Sequence, residues 1–244
     1  MMNDAGGGVQ FQTRKASSNI LSRVHKDYSL NQSILVVGDG DMSFGLCLAK
    51  TLGSGKDMTV TSYDSFDQWK KMYPTAKLNM LGLMELGTTV IYQVDVKTMA
   101  SDTRFSKNQF ERIIYNMPHA GFVDGLSESS DQMIKLHQEL VKGYFDNASK
   151  LLTVKGEVHL RHHTHPPFDR WEVVELAKNA GLKLFKKVPF NPAEYPTYTR
   201  KKGAGMNANQ SFPINPKNCS LYKFILEEKK QDHQQDKQNQ QSIW

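Results

Sequence analysis

The chain has 244 residues, 39% of them hydrophobic, and a formal charge of +6 at pH 7. That length suits one domain with a full α/β core, and no run approaches 18 consecutive apolar residues, which excludes a membrane-spanning helix. The positive charge favours an acidic partner such as nucleic acid, although a lysine-rich surface without a ligand carries a similar charge.

Residues 1–18 are rich in Gly, Ser and Asn, and residues 227–244 read EEKKQDHQQDKQNQQSIW. Neither has the apolar surface to offset its ordering entropy, so both are expected to be disordered around a folded domain at 19–226. The N-terminus lacks the apolar core of a secretory signal. Cys47 and Cys219 fall in a helical and a strand segment. They do not suggest a disulfide framework, so an intracellular, reduced protein is expected.

Apolar runs suited to buried strands recur at 34–37, 58–63, 90–94, 111–115 and 156–160, with helical stretches at 43–52, 67–86 and 130–152 between them. A further helix at 168–181 precedes strands at 182–188 and 220–226. Alternation of strand and helix predicts a mostly parallel sheet with helices on both faces. Residues 189–218 hold five of the nine prolines and no convincing helix. The two strands that they join are therefore most simply antiparallel. This is the architecture of the Rossmann-like methyltransferases. A loop of this length is expected to be functional or mobile.

The first strand breaks into a glycine turn, VVGDGDMSFG (36–45). Gly38 and Gly40 allow a ligand to approach the backbone at the carboxyl end of the strand. The dinucleotide fingerprint wants glycine at 43, where this chain has Ser43. Asp39 and Asp41 would also repel a pyrophosphate. S-adenosylmethionine has no phosphate and carries an ammonium and a sulfonium, so it fits two carboxylates, and its own carboxylate suits the N-terminus of the next helix. Asp64, 26 residues after Gly38, follows the second strand and can accept from ribose hydroxyls. Asp95 follows the third and can meet the adenine amino group, with Val96 against the ring.

The fourth strand runs into Asn116-Met117-Pro118-His119, which is similar to the Asn-Pro-Pro-aromatic signature of methyltransferases acting on nitrogen. The Asn116 side-chain oxygen can orient an N–H donor, and Pro118 stiffens the turn. Alignment then supplies much of the rate of an in-line methyl transfer.

With VVGDGDMSFGLCLA (36–49), FERIIYNMPHAG (110–121), HTHPPFDRW (163–171) and YPTYTRKKGAG (195–205) assembled, the chain resembles the Rossmann-like family of 25S rRNA (uridine-N3)-methyltransferases, in its plant branch. The resemblance implies a class I AdoMet-dependent fold and methylation of a uridine ring nitrogen in large-subunit rRNA or pre-ribosomal RNA; a monomer is expected, in the nucleus or nucleolus, with the cytoplasm as the alternative. It places the cofactor on Gly38, Asp39, Gly40 and Asp41 and the substrate on Asn116, Pro118 and His119; Ser43 and Phe44, next along the first turn, are further cofactor-binding candidates. One departure is MNANQSF (206–212), where family members often carry an acidic residue.

Uridine N3 must lose a proton, and His119 either accepts it or only caps the turn. His159, His162, His163 and His165 cluster in sequence. Strand alternation sends neighbours to opposite faces and no ligand spacing completes a zinc pattern, so no metal is expected. Lys186, Lys187, Arg200, Lys201 and Lys202, interleaved with Tyr195 and Tyr198, form the strongest basic and aromatic patch. It suits phosphate contacts and base stacking on looped RNA. Two rival readings stay open at this level: a methyltransferase for another nitrogen, in tRNA or a small molecule, and a non-catalytic module that binds AdoMet or RNA.

Overall fold

The computed structural model describes residues 25–105, 109–205 and 207–228. The segment 1–18 and, of the polar tail, residues 229–244 lie outside the described residues. The strands are β1 (Ile34–Val37), β2 (Met58–Thr61), β3 (Thr89–Ile91), β4 (Phe110–Asn116), β5 (Leu152–His163), β6 (Leu182–Pro189) and β7 (Cys219–Leu226). The helices are α1 (Ser43–Leu52), α2 (Phe66–Met72), α3 (Lys77–Glu85), α4 (Asp131–Leu151) and α5 (Val173–Asn179). They build one seven-stranded sheet in the order β3-β2-β1-β4-β5-β7-β6. The strands β1 to β5 pair in parallel, and β7 runs antiparallel between β5 and β6. The expected fold class is the observed one.

Side-chain alternation sorts the central strands into two layers. Leu35, Val37, Ile113 and Tyr115 share a core with Tyr144 and Phe145 of α4 and Ala177 of α5. Ile34, Val36 and Ile114 share the other with Leu48 of α1, Trp69 of α2 and Leu83 of α3. Over β5 and β7, this second face is covered by Tyr28 and by Phe190 and Tyr195 of the segment after β6.

Several boundaries differ from the sequence expectation, each for a local reason. The helix expected over 67–86 is two helices, because Pro74 disfavours helical backbone at the residue before it, and Tyr73 sits at φ −126°, ψ 71°. The helix expected from 168 begins as a 3-10 turn at Phe168–Trp171 and restarts after Glu172, whose φ of 53° is left-handed. β3 stops at Ile91 because Gln93, with φ 56°, leaves the extended region. β5 is longer than expected and reaches His163. The 189–218 segment has its own order: the chain folds back so that Phe212 N–H donates to Arg200 O at 2.8 Å and Lys202 N–H to Gln210 O at 3.0 Å.

Candidate active site

A cleft of about 530 Å³ opens at the carboxyl ends of the strands. It lies where β1 is flanked by β2 on one side and β4 on the other, the point of order reversal at which open α/β sheets bind ligands.

One wall is the turn after β1. Gly38 has φ +61°, and a Cβ there would lie 3.0 Å from the Tyr115 ring. Neighbouring helices fix the turn's carbonyls: Trp69 Nε1 donates to Gly40 O at 2.7 Å and Asn79 Nδ2 to Asp41 O at 2.9 Å. The break between α2 and α3 thus delivers two separate donors to one turn. A Cβ on Gly40 would meet the Tyr73 hydroxyl at 2.8 Å, so a larger residue there presses first on protein.

The carboxylates of this turn partly serve α1. Asp39 Oδ2 accepts from Gly45 N at 2.7 Å and Asp41 Oδ1 from Ser43 N at 3.1 Å. They do the capping that Met42, left-handed at φ 61°, does not do with its own side chain. A carboxylate has roughly four acceptor positions, so capacity remains on the cleft side. Burial pushes the Asp39 carboxyl up to about 7, and Asp41 adds to the rise, against the pull of the Gly45 and Phe44 N–H groups. A cation arriving here relieves that cost and a phosphate adds to it. Asp64, whose carboxyl burial also raises, lines the same half of the cleft with Asp95 and Val96. Asp95 Oδ1 accepts from Lys97 N at 2.9 Å. The residues present fit S-adenosylmethionine, through its ammonium, ribose and adenine.

The opposite wall is the turn after β4. Parallel pairing sets Asn116 beside Arg161 of β5, and Met117, at φ 51°, bends the chain sharply away. Asn116 Oδ1 accepts from Arg161 Nη1 at 2.5 Å. The side-chain oxygen expected to face substrate is therefore engaged behind the cleft, and the amide presents its N–H group instead. His119 Nδ1 accepts from Gly121 N at 3.1 Å, so its proton sits on Nε2, 3.0 Å from Glu128 Oε1. His137 repeats the pattern: Nδ1 accepts from Ala120 N at 3.1 Å and Nε2 lies 3.0 Å from Glu128 Oε2. Among the described residues, His119, Glu128 and His137 lie close enough together to hold a metal ion. Both imidazoles, however, carry a proton on the nitrogen that would have to ligate it. The same bonds leave His119 with no free lone pair and make it a brace of the turn.

The basic residues divide. Arg200, Lys201 and Lys202 line the cleft with Tyr198. Lys186 and Lys187 stand on β6, separated from β4 by β5 and β7, and are not among the residues lining the cleft. Tyr195, only 4% exposed, is packed on the Arg161 guanidinium at 4.7 Å, so it cannot stack on a base. Ser43 and Phe44 are also absent from the cleft lining: both are buried at the head of α1. Ser43 Oγ donates to Thr199 O at 3.1 Å and accepts from Thr199 N at 2.9 Å. The Thr199 hydroxyl also bonds Asp41 Oδ2. The basic segment is thereby tied to the turn after β1.

The model of the family described as rRNA (uridine-N3-)-methyltransferase BTM5-like matches residues 35–202. The chain belongs to this family. Among its similar proteins, uncharacterized protein At4g26485 of Arabidopsis thaliana is 40% identical over 200 residues, covering 82% of this chain and 95% of that protein. The 25S rRNA (uridine(2634)-N(3))-methyltransferase of Saccharomyces cerevisiae is 22% identical over 250 residues, with 81% of this chain and 73% of that protein covered. In fold, the chain is similar to the glycopeptide N-methyltransferase MtfA solved with (S)-adenosyl-L-methionine (TM-score 0.50, 12% identity, 83% of this chain and 84% of that one). The family is thus a methyltransferase family, and the fold is that of the AdoMet-dependent methyltransferases.

Sequence reasoning missed several residues of this site, among them Arg161, Thr199 and Glu128. Arg161 was visible only as a cation between the apolar run 156–160 and the histidines that follow it. Thr199 carried no signal, since its role depends on two contacts more than 150 positions away in sequence. Glu128 lay in a polar stretch with nothing to mark it.

Proposed function

We propose that the protein transfers the methyl group of S-adenosyl-L-methionine to N3 of a uridine in large-subunit rRNA. Family membership supports the substrate class, and one observation of the structure supports the reading most. The acidic cofactor turn, the Asn116 turn and the basic run Arg200–Lys202 line one cleft, so cofactor, base and phosphate backbone have adjacent places. The cofactor, when bound, supplies an electrophilic methyl on a sulfonium. Gly38 and Gly40 admit it, Asp39 and Asp41 hold its ammonium, Asp64 its ribose, and Asp95 with Val96 its adenine. Asn116 and the stiff Pro118 turn orient the uracil, while Arg200, Lys201 and Lys202 bind phosphates beside it. The protein acts as a monomer on rRNA or a pre-ribosomal particle, in the nucleolus.

Nucleoside mass spectrometry of large-subunit rRNA from cells lacking the protein tests this reading. N3-methyluridine should fall at one position and return on re-expression. An unchanged N3-methyluridine level together with loss of a methylated amine in tRNA would instead identify a different nitrogen. Normal levels of every methylated nucleoside, with AdoMet binding intact, would identify a non-catalytic module.

A further inference from the structure

Arg161 is 1% exposed. It forms no ion pair among the described residues. A guanidinium buried without a carboxylate is costly unless something else offsets it. Here the offset is aromatic: its central carbon lies 4.6 Å from the Phe190 ring, 4.7 Å from Tyr195 and 5.4 Å from Phe44. Its Nε has no hydrogen-bond partner. Among the described residues its closest polar contact is the 2.5 Å bond to Asn116 Oδ1, with the Tyr195 hydroxyl as its other polar neighbour. An arginine can only donate, so the amide has one orientation, with oxygen toward Arg161 and Nδ2 toward the cleft that Asn116 lines. A charge-assisted bond of this kind polarises the amide and strengthens its free N–H groups as donors.

We propose that Arg161 is a positioning residue that makes the Asn116 amide a fixed, strengthened donor, which reads the imide of a uracil and carries part of its negative charge as the N3 proton leaves. This rests on the uridine reading above and goes further. Uracil N3–H stands between two carbonyl oxygens, and its loss spreads charge over N3, O2 and O4. A donor on one of those oxygens stabilises the anion more than the neutral base, which is transition-state stabilisation. The proton passes to water in the open cleft. The N3 electron pair then attacks the sulfonium methyl, the carbon–sulfur bond breaks, and its electron pair stays on sulfur as the neutral thioether. An exocyclic amine, which offers N–H groups of its own, meets a donor here and not an acceptor, so the same amide selects against adenine N6 and cytosine N4.

The groups packed around Arg161 leave the neutral pH range clear. Tyr28, Tyr195, Tyr198 and Cys219 face it from three segments, and burial keeps all four protonated, with Tyr195 pushed up to about 12 and Cys219 to about 11. Burial pushes the His25 imidazole below its ordinary value, against the pull of Asp27 and Glu194. On the cleft side, Asp39, Asp41 and Arg200 lie near Tyr198, and His119 stands three residues beyond Asn116. Asp39 titrates against the cofactor, so the test is run at saturating AdoMet.

The experiment measures kcat for N3-methyluridine formation on rRNA from cells lacking the protein, as a function of pH. Asn116→Ala should lower kcat at least about tenfold at neutral pH, with the alkaline rise displaced upward by about one unit and AdoMet affinity within about twofold of wild type. Arg161→Met should behave alike, the double variant no worse than either single one, and Arg161→Lys should recover part of the rate. rRNA transcribed with 5-fluorouridine, whose N3 proton is more acidic, should shrink every deficit. A deficit constant across pH and unrelieved by 5-fluorouridine would reduce the pair to a structural one and overturn the inference. If Arg161→Met does not fold, Asn116→Ala and Arg161→Lys decide by the same profile. Absence of N3-methyluridine from the wild-type protein, or methylation of an amine in its place, overturns the substrate reading and this inference with it. A wild-type product with variant profiles parallel to it overturns this inference alone.

Discussion

The turns after β1 and β4 occupy equivalent places, at the carboxyl ends of adjacent parallel strands, and both reverse through left-handed residues, Gly38 and Met42 in the first, Met117 in the second. Their electrostatic support is opposite. In the first, two buried carboxylates are stabilised by neutral backbone N–H groups of α1, and burial with mutual repulsion leaves Asp39 protonated to about 7. In the second, a neutral amide is backed by a buried cation. A turn supported by backbone donors is ready to accept a positive ligand, and an amide supported by a guanidinium is ready to donate to one that becomes negative. Identical topology gives each turn its position, and the residues packed behind it give it its sign.

The largest expected effect comes from Gly38→Val. The left-handed backbone disfavours any side chain by roughly 1–2 kcal/mol, and the new Cβ would press on Tyr115 at 3.0 Å. AdoMet affinity should fall by at least about a hundredfold, about 2.8 kcal/mol, in calorimetry on protein that circular dichroism shows to be folded. Unchanged affinity would remove the first turn from the cofactor site.

Replacing Arg200, Lys201 and Lys202 together with Ala should weaken RNA binding by about tenfold or more, about equally for different RNA sequences, because phosphate contacts position without reading bases. The dependence of affinity on salt should become shallower. Lys186 and Lys187, which lie off the cleft, should change neither quantity much when replaced with Ala. An equal loss from both sets would move the RNA path to the edge strand.

The acidic turn also predicts a pH dependence. Asp39 has an ordinary value of 3.8 and a folded value of about 7, so the folded state keeps a proton that the unfolded state loses. Stability from this group is full below about 3.8 and is lost as pH rises through about 7. AdoMet, by favouring the carboxylate, should bind more tightly as pH rises toward 7 and release a proton as it binds below it. Calorimetry in buffers of different ionisation enthalpy reads that proton, and zero release at pH 6 would contradict the protonated Asp39. The smallest effect is expected for His119→Asn. With both ring nitrogens engaged in the turn, its loss should cost about 1 kcal/mol of stability and leave the pH profile of methyl transfer parallel to wild type.

What the sequence made legible follows the range of the interaction. The apolar run 34–37, the glycines and aspartates of the first turn, and Asn116-Met117-Pro118 carry their signals within a few residues; the run forms β1 and both turns line the cleft at the ends of their strands. Pro74 was just as local a signal, yet the helical pattern on either side of it concealed the break. Arg161, Thr199 and the true orientation of the Asn116 amide depend on strand register and on a long segment folding back, which no local pattern encodes. The reduced standing of His119 as a base also came from contacts, since a tautomer is set by hydrogen-bond partners. Tyr195 and Phe44, aromatic and next to basic or glycine-rich sequence, looked like ligand surfaces and are instead the packing around one buried guanidinium.

Methyl transfer to uridine N3 is measured with purified protein, AdoMet labelled in its methyl group, and large-subunit rRNA from cells lacking the protein. Digestion and chromatography of the product should place the label in N3-methyluridine, with none after Gly38→Val. Label in a methylated adenosine or cytidine, or none in any nucleoside from folded protein that binds both AdoMet and RNA, would contradict transfer to uridine N3.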